Sequence, residues 1–169
     1  MMVVNIDVDN LKTTALLGDF MAAVLSDAEA KKNIEKLKEA TGFDPEKDLS
    51  SIVIAVPPDV EKTENFLIVA KGKVDEKTFI KFAKDEGSSI TEGTHEGVTW
   101  YEIDKEDGLA FVGDHILLGP KAALKAAIDT GKAKMKDVTN NATDSGLIKS
   151  ANTKASVWMA VTLPKSMRE

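Results

Sequence analysis

DGLAFVGDHILLGPKAALKAAIDTGK, residues 107–132, is two short apolar runs and a helix joined with almost nothing between them. Residues 109–112 and 115–118 have strand length and strand composition, and Gly113-Asp114 between them is a reverse-turn dipeptide, so the pair predicts a hairpin. Gly119-Pro120 ends the second strand. Proline at a first helical position has a preset φ and gives up only an amide that would have no partner there, so a helix is expected from Pro120 onward. Leu124, Ala127 and Ile128 follow at helical spacing beside the small Ala122, Ala123 and Ala126, which predicts a helix lying close against a sheet. The stretch supplies two strands and one helix of a core, and no evident chemistry.

Working outward, residues 3–8 alternate and are β-branched, the pattern of a strand with one buried face. Leu17, Phe20, Met21 and Val24 predict an amphipathic helix to about Leu25, and Ser26-Asp-Ala-Glu29 reads as a capping box that opens another. Ala30, Ile34 and Leu37 form its apolar stripe. Gly42 is placed as its αL terminator, with Phe43 folding back, and Asp44-Pro45 as a capped single turn. Residues 51–56 are a near-continuous apolar strand stopped by Pro57-Pro58, residues 59–64 a polar loop, and residues 65–70 the returning strand. Asp75 caps a helix to about Glu86, with Phe79, Phe82 and Ala83 inward. Residues 90–95 and 98–103 form a hairpin about Glu96-Gly97. Beyond the central block come a basic stretch at 132–136, a Thr/Asn-rich surface segment at 138–145, a short helix with Leu147 and Ile148, and a last strand at 155–163.

The order βαα-ββ-α-ββ-ββ-αα-β predicts one α+β domain over residues 1–169, a largely antiparallel sheet with its helices gathered on one face. A weak internal repeat pairs residues 66–86 with 109–131: Asp75, Phe79, Phe82 and Ala83 correspond to Pro120, Leu124, Ala127 and Ile128. Two ferredoxin-like halves are one way to arrange such a repeat.

Composition bounds the function. With 43% hydrophobic and 30% charged residues over 169 positions, the chain can bury a sizeable core unaided, and neither disorder nor a membrane span is indicated. A net charge of −6, with lysines interspersed among acids, argues against nucleic acid as a partner. The absence of cysteine removes disulfides, thiolate catalysis and cysteine-ligated metals without fixing the compartment. MMVVNIDVDN, the start of the chain, has no basic region and no long apolar run, so no secretory signal is read there.

Chemical motifs are sparse. Asp7 and Asp9 resemble the start of a calcium loop, but Leu11 and Lys12 stand where a ligand and a glycine belong, and period 2 places both carboxylates on one solvated strand face. Glu102, Asp104, Glu106 and Asp107 gather about a turn and read as a polar turn before a cation site. His95 and His115 fall in no metal-spaced motif. The glycines form neither a dinucleotide fingerprint nor a phosphate loop, and no serine sits in a nucleophile elbow. These readings predict no catalytic residue, no metal and no cofactor. Trp100, Tyr101 and Trp158 are the large aromatics with polar handles. Trp100 and Tyr101 point to opposite faces of one strand, so one packs under the helices and the other shows on the open sheet face. That open face, with Trp158, is the candidate interaction surface.

Residues 43–54 (FDPEKDLSSIVI), 65–75 (NFLIVAKGKVD), 97–101 (GVTWY) and 109–129 (LAFVGDHILLGPKAALKAAID) together resemble a family of bacterial exported proteins and lipoproteins of unknown function, with the resemblance covering about residues 34–163. Its motifs are caps, turns and strand cores. The resemblance implies an extracytoplasmic location, periplasm or cell envelope, with a signal or lipid-attachment segment removed. The expected function is therefore a non-enzymatic extracytoplasmic binding or assembly module engaging a protein partner or an apolar ligand. The alternative is a carrier of an apolar small molecule or lipid. A carrier predicts an under-filled apolar cavity; an interaction module predicts a patch near Trp100 or Trp158; an enzyme predicts titratable groups converging in a cleft.

Overall fold

The computed structural model describes residues 1–56, 66–132 and 142–162, with the side chains of Leu16, Phe20, Val24 and residues 142–144 excepted. The expectations for residues 57–65, 133–141 and 163–169, and the inward positions of Phe20 and Val24, lie outside the described residues.

The chain runs β1 (Met2–Asp7), α1 (Val8–Leu11), α2 (Ala15–Leu25), α3 (Ala28–Thr41), α4 (Pro45–Asp48), β2 (Leu49–Val56), β3 (Leu67–Gly72), α5 (Glu76–Asp85), β4 (Ile90–His95), β5 (Val98–Ile103), β6 (Asp107–Val112), β7 (His115–Pro120), α6 (Lys121–Gly131), α7 (Ala142–Ser150) and β8 (Val157–Val161). The strands form one eight-stranded sheet in the order β4-β5-β6-β7-β3-β2-β1-β8. Every pairing in it is antiparallel. The α+β class and the antiparallel sheet are as the sequence predicts.

Local chemistry accounts for most boundaries. The β4–β5 turn holds Glu96 at φ 50° and Gly97 at φ 75°, the two left-handed residues whose twist matches that of the flanking strands. Gly42, at φ 73°, ends α3 by donating its amide to the Lys38 carbonyl. Asp75 caps α5, accepting from the Thr78 amide at 2.8 Å. Asp44, buried, caps α4 and is held by Lys38 at 2.7 Å and Lys47 at 3.2 Å; the Lys38 hydrogen bond above all keeps its carboxyl below the ordinary range.

Three boundaries differ. β1 stops at Asp7, whose carboxylate accepts from the Asn10 amide at 2.9 Å and so caps α1; Asp9 is therefore helical and does not share a strand face with Asp7. The cap of α3 is Asp27, accepting from the Glu29 and Ala30 amides at 2.8 Å each, while Ser26 turns its hydroxyl back to the Ala23 carbonyl. A carboxylate is the stronger acceptor for amides at a positive helix end, and it displaces the serine. Pro120 closes β7 opposite Asp107 and sits just before α6 instead of inside it.

The larger difference is in the layers. Trp100 and Tyr101 are neighbours on β5 with side chains on opposite faces, and both are buried. Trp100 packs with Ala110 and Leu117 beneath Leu124 and Ile128 of α6. Tyr101 packs with Leu109 beneath Ile80 of α5, with Phe79, Phe111 and Leu118 around it. The sheet thus carries helices on both faces, where the sequence places them on one. The helices equated by the internal repeat keep their spacing of 45 residues between the caps Asp75 and Pro120, yet lie on opposite sides of the sheet. On the α6 face, Gly108 leaves room for Leu124, whose Cδ2 would lie 2.6 Å from a Cβ there, so α6 sits close over β6.

Candidate functional site

The strand registers sort side chains onto the two faces. On the α5 face, Ile6 of β1 stands between its partners Ile52 of β2 and Val157 of β8. These three form the floor of a cavity of about 520 Å³. Its walls are Val8 and Leu11 of α1, with Leu49 where β2 begins. Leu17 and Met21 of α2 and Ile34 of α3 roof it, and Pro45 and Glu46 of α4 form the rim. Glu46 is the one ionisable group in the lining, and it is exposed.

The cavity follows from how this end of the sheet is covered. Two of its walls are single-turn helices, fixed by the aspartate caps of Asp7 and Asp44. Lys12 ties them together, donating to Asp9 at 2.9 Å and to the carbonyls of Lys47 at 3.0 Å and Leu49 at 2.7 Å. Over this frame α2 packs on α1 and α3, and α3 packs on α5, so the roof rests chiefly on other helices. An apolar layer bridged in this way leaves its floor uncompressed. The volume is within the range of small-molecule sites, roughly 300–1,000 Å³, and an apolar cavity that cannot offer water hydrogen bonds stays dry unless a ligand fills it.

A second, wider-mouthed cavity of about 600 Å³ lies on the α6 face, between Val3, Val53 and Ala55 of the sheet and Ala122, Ala123 and Ala126 of α6. The alanine side of α6, expected to draw the helix onto the sheet, instead borders this groove, while Leu124 and Ile128 make the close contact.

The sequence-selected aromatics are not brought together. Trp100 and Tyr101 are buried under different helices, so neither offers a ring to a partner; this corrects the open-face reading, and its cause is the second helical layer. Lys125 of α6 lies over the Trp100 ring at 4.6 Å. The Tyr101 hydroxyl donates to Glu76 at 2.6 Å. That bond, with burial and the carboxylate charge, pushes the phenol up to about 12. Trp158 is half-buried on β8, on the α6 face with its strand neighbour Ala160.

The remaining polar candidates are engaged locally. Asp9 pairs with Lys12, whose hydrogen bond lowers its carboxyl. Glu102 pairs with Lys121 at 2.9 Å, and Asp104 accepts from the Ser89 amide at 2.9 Å. His95 meets Asp129 of α6 at 2.8 Å, and His115 meets Asp114 at 2.8 Å. Among the described residues, no group of three histidine, aspartate or glutamate side chains is arranged to hold a metal ion. Among them too, no helix is long and apolar enough to cross a membrane.

The functional residues that sequence reasoning missed are the cavity's own. Leu17, Met21 and Ile34 were read as core stripes, and they are stripes that face a gap. One signal was present: α2, ALLGDFMAAVL, carries a single charge in 11 residues, more apolar than a helix exposed on its outer side requires.

No protein-family model and no curated protein matches the chain. Among solved structures, it is similar to "crystal form I of TP0453" at 13% identity and a TM-score of 0.40. The match covers 72% of this chain and 42% of that one, so the chain spans less than half the length of its structural neighbour.

Proposed function

We propose that the protein is a non-enzymatic binding module whose cargo is an apolar small molecule or lipid chain, held between the sheet and the α2–α3 roof. The observation that carries this reading is the cavity of about 520 Å³, with an apolar lining apart from one rim glutamate. Of the three arrangements that would separate a carrier, an interaction module and an enzyme, the under-filled apolar cavity is the one with support in the geometry. Its lining offers shape and hydrophobicity and no directional donors, which suits a hydrocarbon chain better than a ligand needing oriented hydrogen bonds. An extracytoplasmic location belongs to the same proposal, on the strength of the family resemblance alone.

The test is native mass spectrometry of protein purified gently from its own source, compared with the denatured mass. The expected result is a non-covalent mass excess that disappears on denaturation and extracts into organic solvent. Bare protein, together with no uptake of added palmitate by the purified chain, would overturn the carrier reading. The denatured mass also reports any processed or lipidated terminus, and recovery of the protein in the cytosolic fraction would remove the envelope location.

A further inference from the structure

The cavity floor does not end at the cavity. Val157 lines it and is nevertheless 48% exposed, so the site opens at β8, the edge strand of the sheet. From Val157 the same face of β8 continues through Met159, 60% exposed, to Val161, 39% exposed. Their register partners on β1 are Ile6, Val4 and Met2, so the exposed stripe is doubled by a second apolar column. At about 3.3 Å per residue the stripe runs roughly 13 Å outward from the mouth. Edge strands ordinarily carry charge or proline on such a face. This one carries neither.

We infer that the ligand is a two-chain amphiphile, with one hydrocarbon chain inside the cavity and the second lying along Val157, Met159 and Val161. This rests on the carrier reading above. Two measures of the site point to it. At roughly 30 Å³ per methylene-sized group, the share of one water in the liquid, 520 Å³ holds about seventeen such groups, which is one long chain and not two. The stripe adjoining the mouth supplies the apolar surface that a second chain requires, and Val157 belongs to both, so two chains diverging from one headgroup reach the two surfaces from a single point. The headgroup stays in water at the mouth.

The test compares two probes with the same headgroup, dioctanoyl phosphatidylcholine kept below its micelle concentration and the lysophosphatidylcholine with a single octanoyl chain, by calorimetric titration. A methylene buried fully is worth about fourfold in affinity; one lying on an open strand is buried about half and worth about twofold, so the second chain should strengthen binding about tenfold or more. Met159→Lys, at an exposed edge position that tolerates lysine, should abolish that preference and leave lysophosphatidylcholine binding within about twofold of the parent. Val161→Lys should reduce the preference in the same direction. Equal binding of the two probes by the parent, or a preference that survives both substitutions, would overturn the inference while leaving the cavity intact. Failure of both probes to bind would overturn the carrier reading and this inference with it. A parent dimer that Met159→Lys dissociates with no change in chain preference would assign the stripe to contact between two copies, which also overturns it.

Discussion

Ile52→Phe places the cavity and its occupant in direct competition. Ile52 is on the floor, between Ile6 of β1 and Ala70 of β3, and its side chain points toward the α2–α3 roof. Phenylalanine adds about three side-chain carbons at a strand position where either residue is well tolerated. At about 0.8 kcal/mol per buried methylene, filling empty apolar space with them should stabilise the ligand-free protein by about 2 kcal/mol, less any strain in seating the ring. For a chain of this length that is a rise in Tm of about 4–8 °C. The same carbons displace about three carbons of a ligand that fills the cavity. Palmitate affinity should therefore fall by the same 2 kcal/mol, about 30-fold, whereas octanoate, which leaves space to spare, should lose little. Differential scanning calorimetry without ligand and titration with the two fatty acids read both quantities. A fall in Tm with unchanged palmitate binding would mean that the Ile52 side chain is already close-packed, and the reasoning from an empty cavity would be refuted. A rise in Tm with unchanged palmitate binding would leave the cavity but place the ligand elsewhere.

Two predictions concern the frame that holds the site. Tyr101 is the single tyrosine of the chain, so its ultraviolet titration is unambiguous; the folded protein should show no tyrosinate until the pH approaches about 12, against about 10 for the unfolded chain. Because its folded pKa is raised, the stabilisation is fully present below pH 10 and lost as pH rises toward 12; Tyr101→Phe should flatten that alkaline loss in urea melts, and tyrosinate appearing near pH 10 in folded protein would show that the Glu76 bond is not made. Gly119→Ala should destabilise by about 1–3 kcal/mol, since its Cβ would lie 2.4 Å from the Phe66 carbonyl oxygen, a backbone atom that cannot rotate away; Gly146→Ala, in α7 with nothing within 4 Å, should instead stabilise by up to about 1 kcal/mol, and equal effects in chemical denaturation would contradict the β7–β3 approach.

The strands were legible because each is a compact apolar run between turn residues: the hairpins about Glu96-Gly97 and Gly113-Asp114 form where the sequence puts them. Caps were legible to within a residue. Asp75 and Gly42 fall as expected, and the shift from Ser26 to Asp27 reflects two capping side chains competing for the same amides, a contest that spacing alone does not decide. The second helical layer was written in the sequence and underread. Residues 52–56 and 66–70 are nearly continuous in apolar character, the pattern of strands covered on both sides, whereas a sheet with one wet face alternates. Taking that continuity at face value would have placed both Trp100 and Tyr101 inside.

The cavity differs in kind. Sequence periodicity states which side of an element is apolar, and Leu17, Met21, Ile34 and Ile52 satisfy it whether they touch one another or surround a gap. What separates the two cases is how far the roof stands from the floor, and that distance is set elsewhere: by the aspartate caps of two single-turn helices, by Lys12 clamping them, and by α3 resting on α5. None of those contacts involves an apolar side chain of the lining. A polar scaffold thus holds open a space that hydrophobic packing alone would close, and its residues carry no binding chemistry of their own. It follows that a change at Lys12 or Asp44 can alter what the cavity accepts without touching the ligand.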